Sequence, residues 1–224
     1  MNPKYIKYLF FVISIIDIVS QIDYLDFHFI NNFTKPMLMP VLALYFYFEI
    51  KEKESPKILT LLTALFFAWL GDVFLMFQKC NPQYFMFGLG SFLVMQLFYI
   101  YLFRPISFKN ILGASLYGLA VLMFGAYVLS IIFPNLVNLK VPVILYFTAI
   151  LFMVLTALSQ WDRLQSYGSK MVFFGAALFM ISDSLIALSK FSNPIVLSGF
   201  FVMATYIIGQ WFIVEGMIGV IKKE

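Results

Sequence analysis

Long apolar runs separated by short polar breaks dominate the pattern of hydrophobic and polar positions along the chain. A helix needs roughly 20 predominantly apolar residues to cross a bilayer, because each residue adds about 1.5 Å of length. The runs are close to that length, and turn-forming residues such as Pro56, Pro134 and Pro194 lie between them. The pattern predicts spans at residues 5–22, 34–49, 58–77, 83–103, 111–133, 141–159, 171–190 and 195–221.

The composition is typical of a protein whose solvent is lipid. Hydrophobic residues make up 62% of the 224 positions and charged residues 12%, and the mean hydropathy is +0.93. Soluble domains carry about 25% charged residues, so a chain this apolar could not cover its surface with polar groups in water. The loops are too short for a separate soluble domain. We therefore predict an all-α polytopic membrane helix bundle with about eight transmembrane helices, built as a single integral membrane domain over residues 1–224.

The distribution of Lys and Arg predicts the orientation of these helices. Both termini and the second, fourth and sixth loops together hold 11 of the 15 basic residues, whereas the opposite side holds 4. By the positive-inside rule both termini should be cytoplasmic, and an even number of spans agrees with that. The expected location is the bacterial cell (inner) membrane.

The charge distribution and the scarcity of cysteine and histidine argue against a nucleic-acid interface, a disulfide and a metal site. The net charge of +4 comes from basic residues at span ends instead of on one face, which argues against nucleic-acid binding. Cys80 is the only cysteine, so an internal disulfide and a cysteine-based metal cluster are excluded. Because the chain also has a single histidine, no metal site is expected.

A few ionisable residues inside the apolar runs are the candidates for chemistry, because a charged group in a transmembrane helix is costly. They are Asp17, Lys35, Asp72 and Asp183. With the predicted topology they fall, together with Tyr146, in one layer near the outer side of the membrane. Simpler interpretations stay open. Asp72 and Asp183 could merely join helices by hydrogen bonds. Asp17 could be an interfacial charge, and Lys35 could extend its ammonium to the phosphate level.

Several short motifs resemble, in the same order, those of the lysoplasmalogenase (YhhN-like) family of membrane proteins. The similarity runs from about residue 34 to the C-terminus, and the ordered set is more specific than any one motif. The motifs are Thr34–Pro40 (TKPMLMP, against TKPLLMP), Gly71–Met76 (GDVFLM, against GD-x-LLM), Phe87–Phe92 (FGLGSF), Ser182–Ala187 (SDSLIA, against SD-x-x-LA), and Tyr206 with Gln210 (against Y-x-x-AQ).

One position departs from the family pattern. Gln96, followed by Tyr99, stands where members often have H-x-x-Y. A proton-transfer role of that histidine does not carry over to this chain. Gln96 could therefore position a substrate only by hydrogen bonding.

The resemblance implies hydrolysis of the vinyl ether bond of lysoplasmalogens, which are 1-alkenyl lysophospholipids, to a fatty aldehyde and a glycerophospho-alcohol. Asp72 and Asp183 would be the catalytic carboxyls, since the reaction needs one acid to protonate the vinyl ether and one carboxylate to stabilise the cation and activate water. No metal or organic cofactor is needed, and the partners would be the lysophospholipid substrate and membrane lipids, with the oligomeric state left open. The residues expected to contact the substrate are Lys35 (at the phosphate), Tyr146, Ser182, Gln96, Tyr99, Tyr206, Gln210 and Asp17.

Two other functions stay open from the sequence. A proton-coupled transporter of small molecules or lipids would use Asp72 and Asp183 as proton or cation sites. A non-enzymatic lipid-binding protein would keep Lys35 but would not require two buried acids. Release of an aldehyde is expected only from the enzyme.

Overall fold

The structure, a computed structural model, describes residues 2–22, 28–104 and 111–223. Within these ranges α-helices account for nearly all residues and no β-strand is present, which confirms the predicted all-α class. The helices are α1 (Pro3–Ser20), α2 (His28–Ile50), α3 (Pro56–Met76), α4 (Gln83–Phe103), α5 (Ile111–Ile132), α6 (Lys140–Leu164), α7 (Tyr167–Phe191) and α8 (Ser198–Ile221).

Most helices begin and end within a few residues of the predicted spans, and two of the differences have simple causes. The second helix begins at His28 instead of residue 34, because backbone hydrogen bonds continue the helix through the mixed polar and apolar residues HFINNF that precede the predicted span. The eighth begins at Ser198 instead of residue 195, because Leu197 has a left-handed φ of 56° that an α-helix does not contain.

Six segments of the described ranges are long and apolar enough to cross a membrane, namely α3, α4, Ser115–Asn135, α6, α7 and α8. Large apolar side chains lie exposed on them, such as Phe66 (50%) and Leu116 (70%). Such surfaces favour association in water and are solvated by hydrocarbon in a bilayer. The chain is therefore an integral membrane protein. Helices α1 and α2 are not among these six, so their crossing of the membrane stays a prediction, as do the cytoplasmic termini.

The chain divides into two compact units, so the prediction of a single domain stays a prediction. The first unit comprises Met1–Leu102 and Val220–Glu224, and the second comprises Phe103–Gly219. The first therefore contains α1 to α4, and the second contains α5 to α7 and nearly all of α8.

In the first unit, α2 packs against both α1 and α3. Helices α3 and α4 approach each other closely at two glycines, since a Cβ on Gly88 would lie 3.3 Å from the carbonyl oxygen of Gly71. At the far end of α2, the ammonium of Lys222 lies 2.5 Å from a carboxylate oxygen of Glu49. This ion pair is partly exposed to solvent, so its contribution to stability is small.

In the second unit, α6 packs against α5 and α7. The backbones of α7 and α8 touch, because a Cβ on Gly175 would lie 2.6 Å from the carbonyl oxygen of Gly209. Small residues permit such close packing of membrane helices. The side-chain amide of Asn135 donates a hydrogen bond of 2.7 Å to the carbonyl of Phe191, one of the carbonyls that have no helical donor at the end of α7. These contacts hold the helix that carries Asp183.

Candidate functional site

In the first unit, Asp17 joins α1 to the first turns of α2. Its carboxyl is fully buried, and Oδ1 accepts a hydrogen bond of 2.6 Å from the hydroxyl of Thr34. Among the described residues, Oδ2 has no hydrogen-bond partner. Lys35 follows Thr34 directly and lies close enough to Asp17 for an electrostatic interaction. The structure therefore brings together two of the predicted substrate-contact residues, Asp17 and Lys35.

Two prolines inside α2 create a polar group that the neighbouring helix satisfies. In an α-helix each N–H bonds the carbonyl four residues earlier, but proline has no N–H. Pro40 therefore leaves the carbonyl of Pro36 without its helical donor. The indole N–H of Trp69, on α3, donates to that carbonyl at 3.0 Å. This bond fixes the register of α2 against α3.

The same register locates Asp72 relative to Lys35. Asp72 is 3% exposed and follows Trp69 by three residues, while Lys35 precedes Pro36 by one. Because α2 and α3 are joined by a short loop and run in opposite directions, the two ionisable residues lie within about one turn of each other along the helix axes. Asp17, Lys35 and Asp72 are thus at the same end of the first unit, as the predicted layer requires.

Gln96 and Tyr99, on α4, are both completely buried. Among the described residues, neither the oxygen nor the nitrogen of the Gln96 amide has a hydrogen-bond partner. Gln96 lies along α4 between Gly88, which packs on Gly71, and Phe98, whose ring stacks on Phe67 at 5.9 Å. Eight residues of helix separate Gln96 from Gly88, so Gln96 lies roughly 12 Å along the helix axis from the level of Gly71.

In the second unit, Asp183 receives a hydrogen bond from a residue of the neighbouring helix. The hydroxyl of Tyr146, on α6, donates to Oδ2 of Asp183, on α7. Tyr146 is buried and Asp183 is half-buried. The preceding residue, Ser182, donates its hydroxyl to the carbonyl of Val202 at 3.0 Å, which ties this part of α7 to α8.

The two predicted contact residues of α8 lie one turn apart on the same face. Tyr206 is 4% exposed and Gln210 is completely buried. The ring of Tyr206 packs on that of Phe179, with 5.9 Å between centroids, and Phe179 is one turn before Asp183 on α7. Tyr206 is therefore close to the carboxyl in the second unit.

Sequence reasoning missed two contacts at the start of α2, and the sequence pattern could have predicted one of them. Prolines at positions i and i+4 of one helix leave the first proline's carbonyl without a donor, so Pro36 and Pro40 predict a hydrogen-bond donor on another helix. Which residue supplies it, here Trp69, could not be read from spacing. The bond from Thr34 to Asp17 had no comparable signal.

The fold and the buried ionisable side chains together define a polytopic helical membrane protein with carboxyl groups inside its spans. Within the described ranges, no group of three His, Cys, Asp or Glu side chains could hold a metal ion. The chain belongs to the YhhN family, whose model matches residues 30–217. All the candidate residues except Asp17 lie inside that stretch, and the resemblance of the motifs is confirmed.

Two curated relatives carry the same name in different mammals. The chain is 32% identical over 170 residues to lysoplasmalogenase TMEM86A of Homo sapiens, and 29% identical over 170 residues to lysoplasmalogenase TMEM86A of Bos taurus. Each match covers 70% of this chain and 65% of the relative, so the chain spans less than two thirds of the relatives' length. No solved structure matches the chain. A bacterial location stays a prediction.

Proposed function

We propose that this protein is a membrane-embedded hydrolase that cleaves the vinyl ether bond of lysoplasmalogens. Its membership of the YhhN family and its similarity to proteins named lysoplasmalogenase support this activity over a proton-coupled transporter. One observation carries the proposal: in a member of this family, Asp72 and Asp183 lie inside helices that can cross a membrane. Buried carboxyls in spans are costly and are expected to serve function.

The reaction is an acid-catalysed addition of water. A carboxylic acid transfers its proton to the vinyl carbon that is not bonded to oxygen, which leaves an oxocarbenium ion. Water adds to the cationic carbon and loses a proton to a carboxylate. The resulting hemiacetal collapses to a fatty aldehyde and the free alcohol of the glycerophospho head group. The net change is the addition of one water molecule, so no oxidant, metal or organic cofactor is required.

A contact of Asp183 supports the role proposed for it. Asp183 accepts a hydrogen bond from Tyr146, and an ionised carboxylate is an acceptor with no proton of its own to donate. We assign Asp183 the role of the carboxylate that stabilises the cation and takes a proton from water. Asp72 is then the acid that protonates the vinyl ether. In other hydrolases, two carboxyls with different surroundings divide into acid and base.

The polar residues around these carboxyls would orient the lysophospholipid. Lys35 is assigned to the phosphate, because a lysine ammonium acts as a point charge that binds phosphate without a fixed geometry. The amide of Gln96 has unused donors and an unused acceptor among the described residues and could bind a polar group of the substrate. The remaining proposed contacts are Asp17, Tyr99, Tyr146, Ser182, Tyr206 and Gln210.

The test is aldehyde release from purified protein given 1-alkenyl and 1-acyl lysophospholipids side by side. We expect aldehyde from the 1-alkenyl lipid, and we expect Asp72→Asn and Asp183→Asn each to lower turnover by at least ~10²-fold. Asp162→Asn is the matched control, because Asp162 is also buried but lies far along α6 from Tyr146, and its turnover should stay within about twofold of wild type. Full activity of Asp72→Asn or Asp183→Asn would remove that residue from the mechanism, and absence of aldehyde from wild-type protein would refute the proposed function.

A further inference from the structure

The first unit contains an apolar groove between α2 and α3 that the reaction scheme leaves unused. Its volume is about 280 Å³. On α3 the lining residues recur with helical spacing along one face, so the groove follows the helix axis for about 10 Å between Leu62 and Trp69. Apart from Leu62, the groove is lined by Met39, Pro40, Ala43, Leu65, Phe66 and Trp69.

The groove results from the small or flat side chains on α2 and from the fixed position of one large side chain on α3. Pro40 and Ala43 fill little space beside α3. Trp69 cannot swing in to fill the gap, because its indole N–H is bonded to the carbonyl of Pro36. Because Pro40 offers no N–H to the same carbonyl, the indole supplies the donor that this carbonyl otherwise lacks. The sequence of α2 therefore keeps the groove open.

One end of the groove lies beside a positive charge. Lys35 precedes Met39, the first lining residue of α2, by one helical turn and is half-buried. A single-chain phospholipid has the matching distribution of groups, with a phosphate next to one hydrocarbon chain. At about 280 Å³, the groove has room for part of one hydrocarbon chain.

We propose that this groove, Leu62–Trp69 of α3 with Met39–Ala43 of α2, binds the hydrocarbon chain of a lysophospholipid whose phosphate lies at Lys35. The identity of the ligand as a lysophospholipid rests on the proposed function. Apolar contact alone would not select it, because bulk lipid chains are equally apolar. Selection would come from the fit of one chain along the groove together with the charge of Lys35 at its end.

Trp69 gives a direct measurement of occupancy that does not depend on activity. In a Trp161→Phe, Trp211→Phe background, Trp69 is the only remaining tryptophan of the three in the chain. A lysophospholipid brominated in its chain should quench Trp69 fluorescence saturably, and unbrominated lysophospholipid should reverse the quenching. A brominated diacyl phospholipid at the same mole fraction should quench weakly. Equal and unsaturable quenching by both lipids would mean that the groove only faces bulk lipid, and would overturn the proposal.

Variants separate the groove from general effects on the protein. Ala43→Phe fills the groove and should weaken saturable quenching on the order of tenfold, and Ala43→Val should weaken it less. Ala126→Phe, at an exposed position of α5, is the matched control and should leave it unchanged. Lys35→Met should raise the concentration needed for half-maximal quenching without changing the maximum. Unaltered quenching in Ala43→Phe would overturn the groove assignment.

The two proposals fail separately in these experiments. Aldehyde release without saturable quenching of Trp69 would support the proposed hydrolase activity and refute lipid binding in the groove. Saturable quenching without aldehyde from any 1-alkenyl lysolipid would support lipid binding in the groove and refute the proposed hydrolase activity.

Discussion

The hydrogen bond from Tyr146 to Asp183 predicts the effect of removing a single oxygen atom. Tyr146→Phe deletes the hydroxyl and keeps the ring, which is 6% exposed and packed within the second unit. The variant should therefore fold and extract as wild type does. If the hydroxyl holds Asp183 as the carboxylate of the reaction, its loss should lower kcat and leave KM nearly unchanged.

The expected size follows from the kind of bond that is lost. Hydrogen bonds to charged groups contribute about 1.5–3 kcal/mol. Because Asp183 is half-buried, we take the lower part of that range, about 1.5–2 kcal/mol. Each 1.36 kcal/mol corresponds to a factor of ten in rate, so kcat should fall by about 10- to 30-fold.

The assay compares kcat and KM for a 1-alkenyl lysophospholipid in wild type, Tyr146→Phe, Asp183→Asn and the double variant. The double variant should be within about twofold of Asp183→Asn, since the hydroxyl has no carboxylate left to hold. Tyr127→Phe is the control, because Tyr127 is 64% exposed on α5. If the fold reduction of kcat in the double variant equals the product of the two single reductions, the two side chains act independently, and the proposed role of the Tyr146 hydroxyl is refuted. A higher KM with unchanged kcat would instead make Tyr146 a substrate contact alone.

The other predictions concern the first unit and the topology. Lys35→Met should raise KM and spare kcat if the lysine binds phosphate in the ground and transition states alike; a change below twofold in both constants, measured by steady-state kinetics, would leave the phosphate without its proposed partner. Trp69→Phe should destabilise the protein by about 1 kcal/mol in detergent unfolding titrations, and by less in a Pro40→Ala background, where the helix regains its own N–H donor; an equal cost in both backgrounds would contradict the explanation. Cys80, which is exposed, should react with an impermeant thiol reagent in intact cells. A cysteine at Lys53 in a Cys80→Ser background should not react, and its labelling would reverse the predicted orientation.

Helix lengths and the membrane class were predictable because both depend on properties that are local in the sequence. An apolar run of about 20 residues can satisfy its backbone groups in lipid only as a helix, whatever its neighbours are. The same reasoning singled out Asp72 and Asp183, since a carboxyl in such a run stands out from composition alone. The boundary of α2 was less predictable, because its first six residues, HFINNF from His28, mix polar and apolar side chains that hydropathy does not assign to a span.

Which side chains meet was decided by the tertiary structure. Periodicity defines the faces of each helix, but it does not define the rotation and axial register of one helix against the next. Tyr146 contacts Asp183 across 37 positions of sequence, and Trp69 contacts Pro36 across 33. The sequence determined that these chemical groups lie in largely apolar helices, where each needs a partner. The packing of α6 on α7 and of α3 on α2 determined the partners, because only packed helices bring side chains distant in sequence within hydrogen-bond distance.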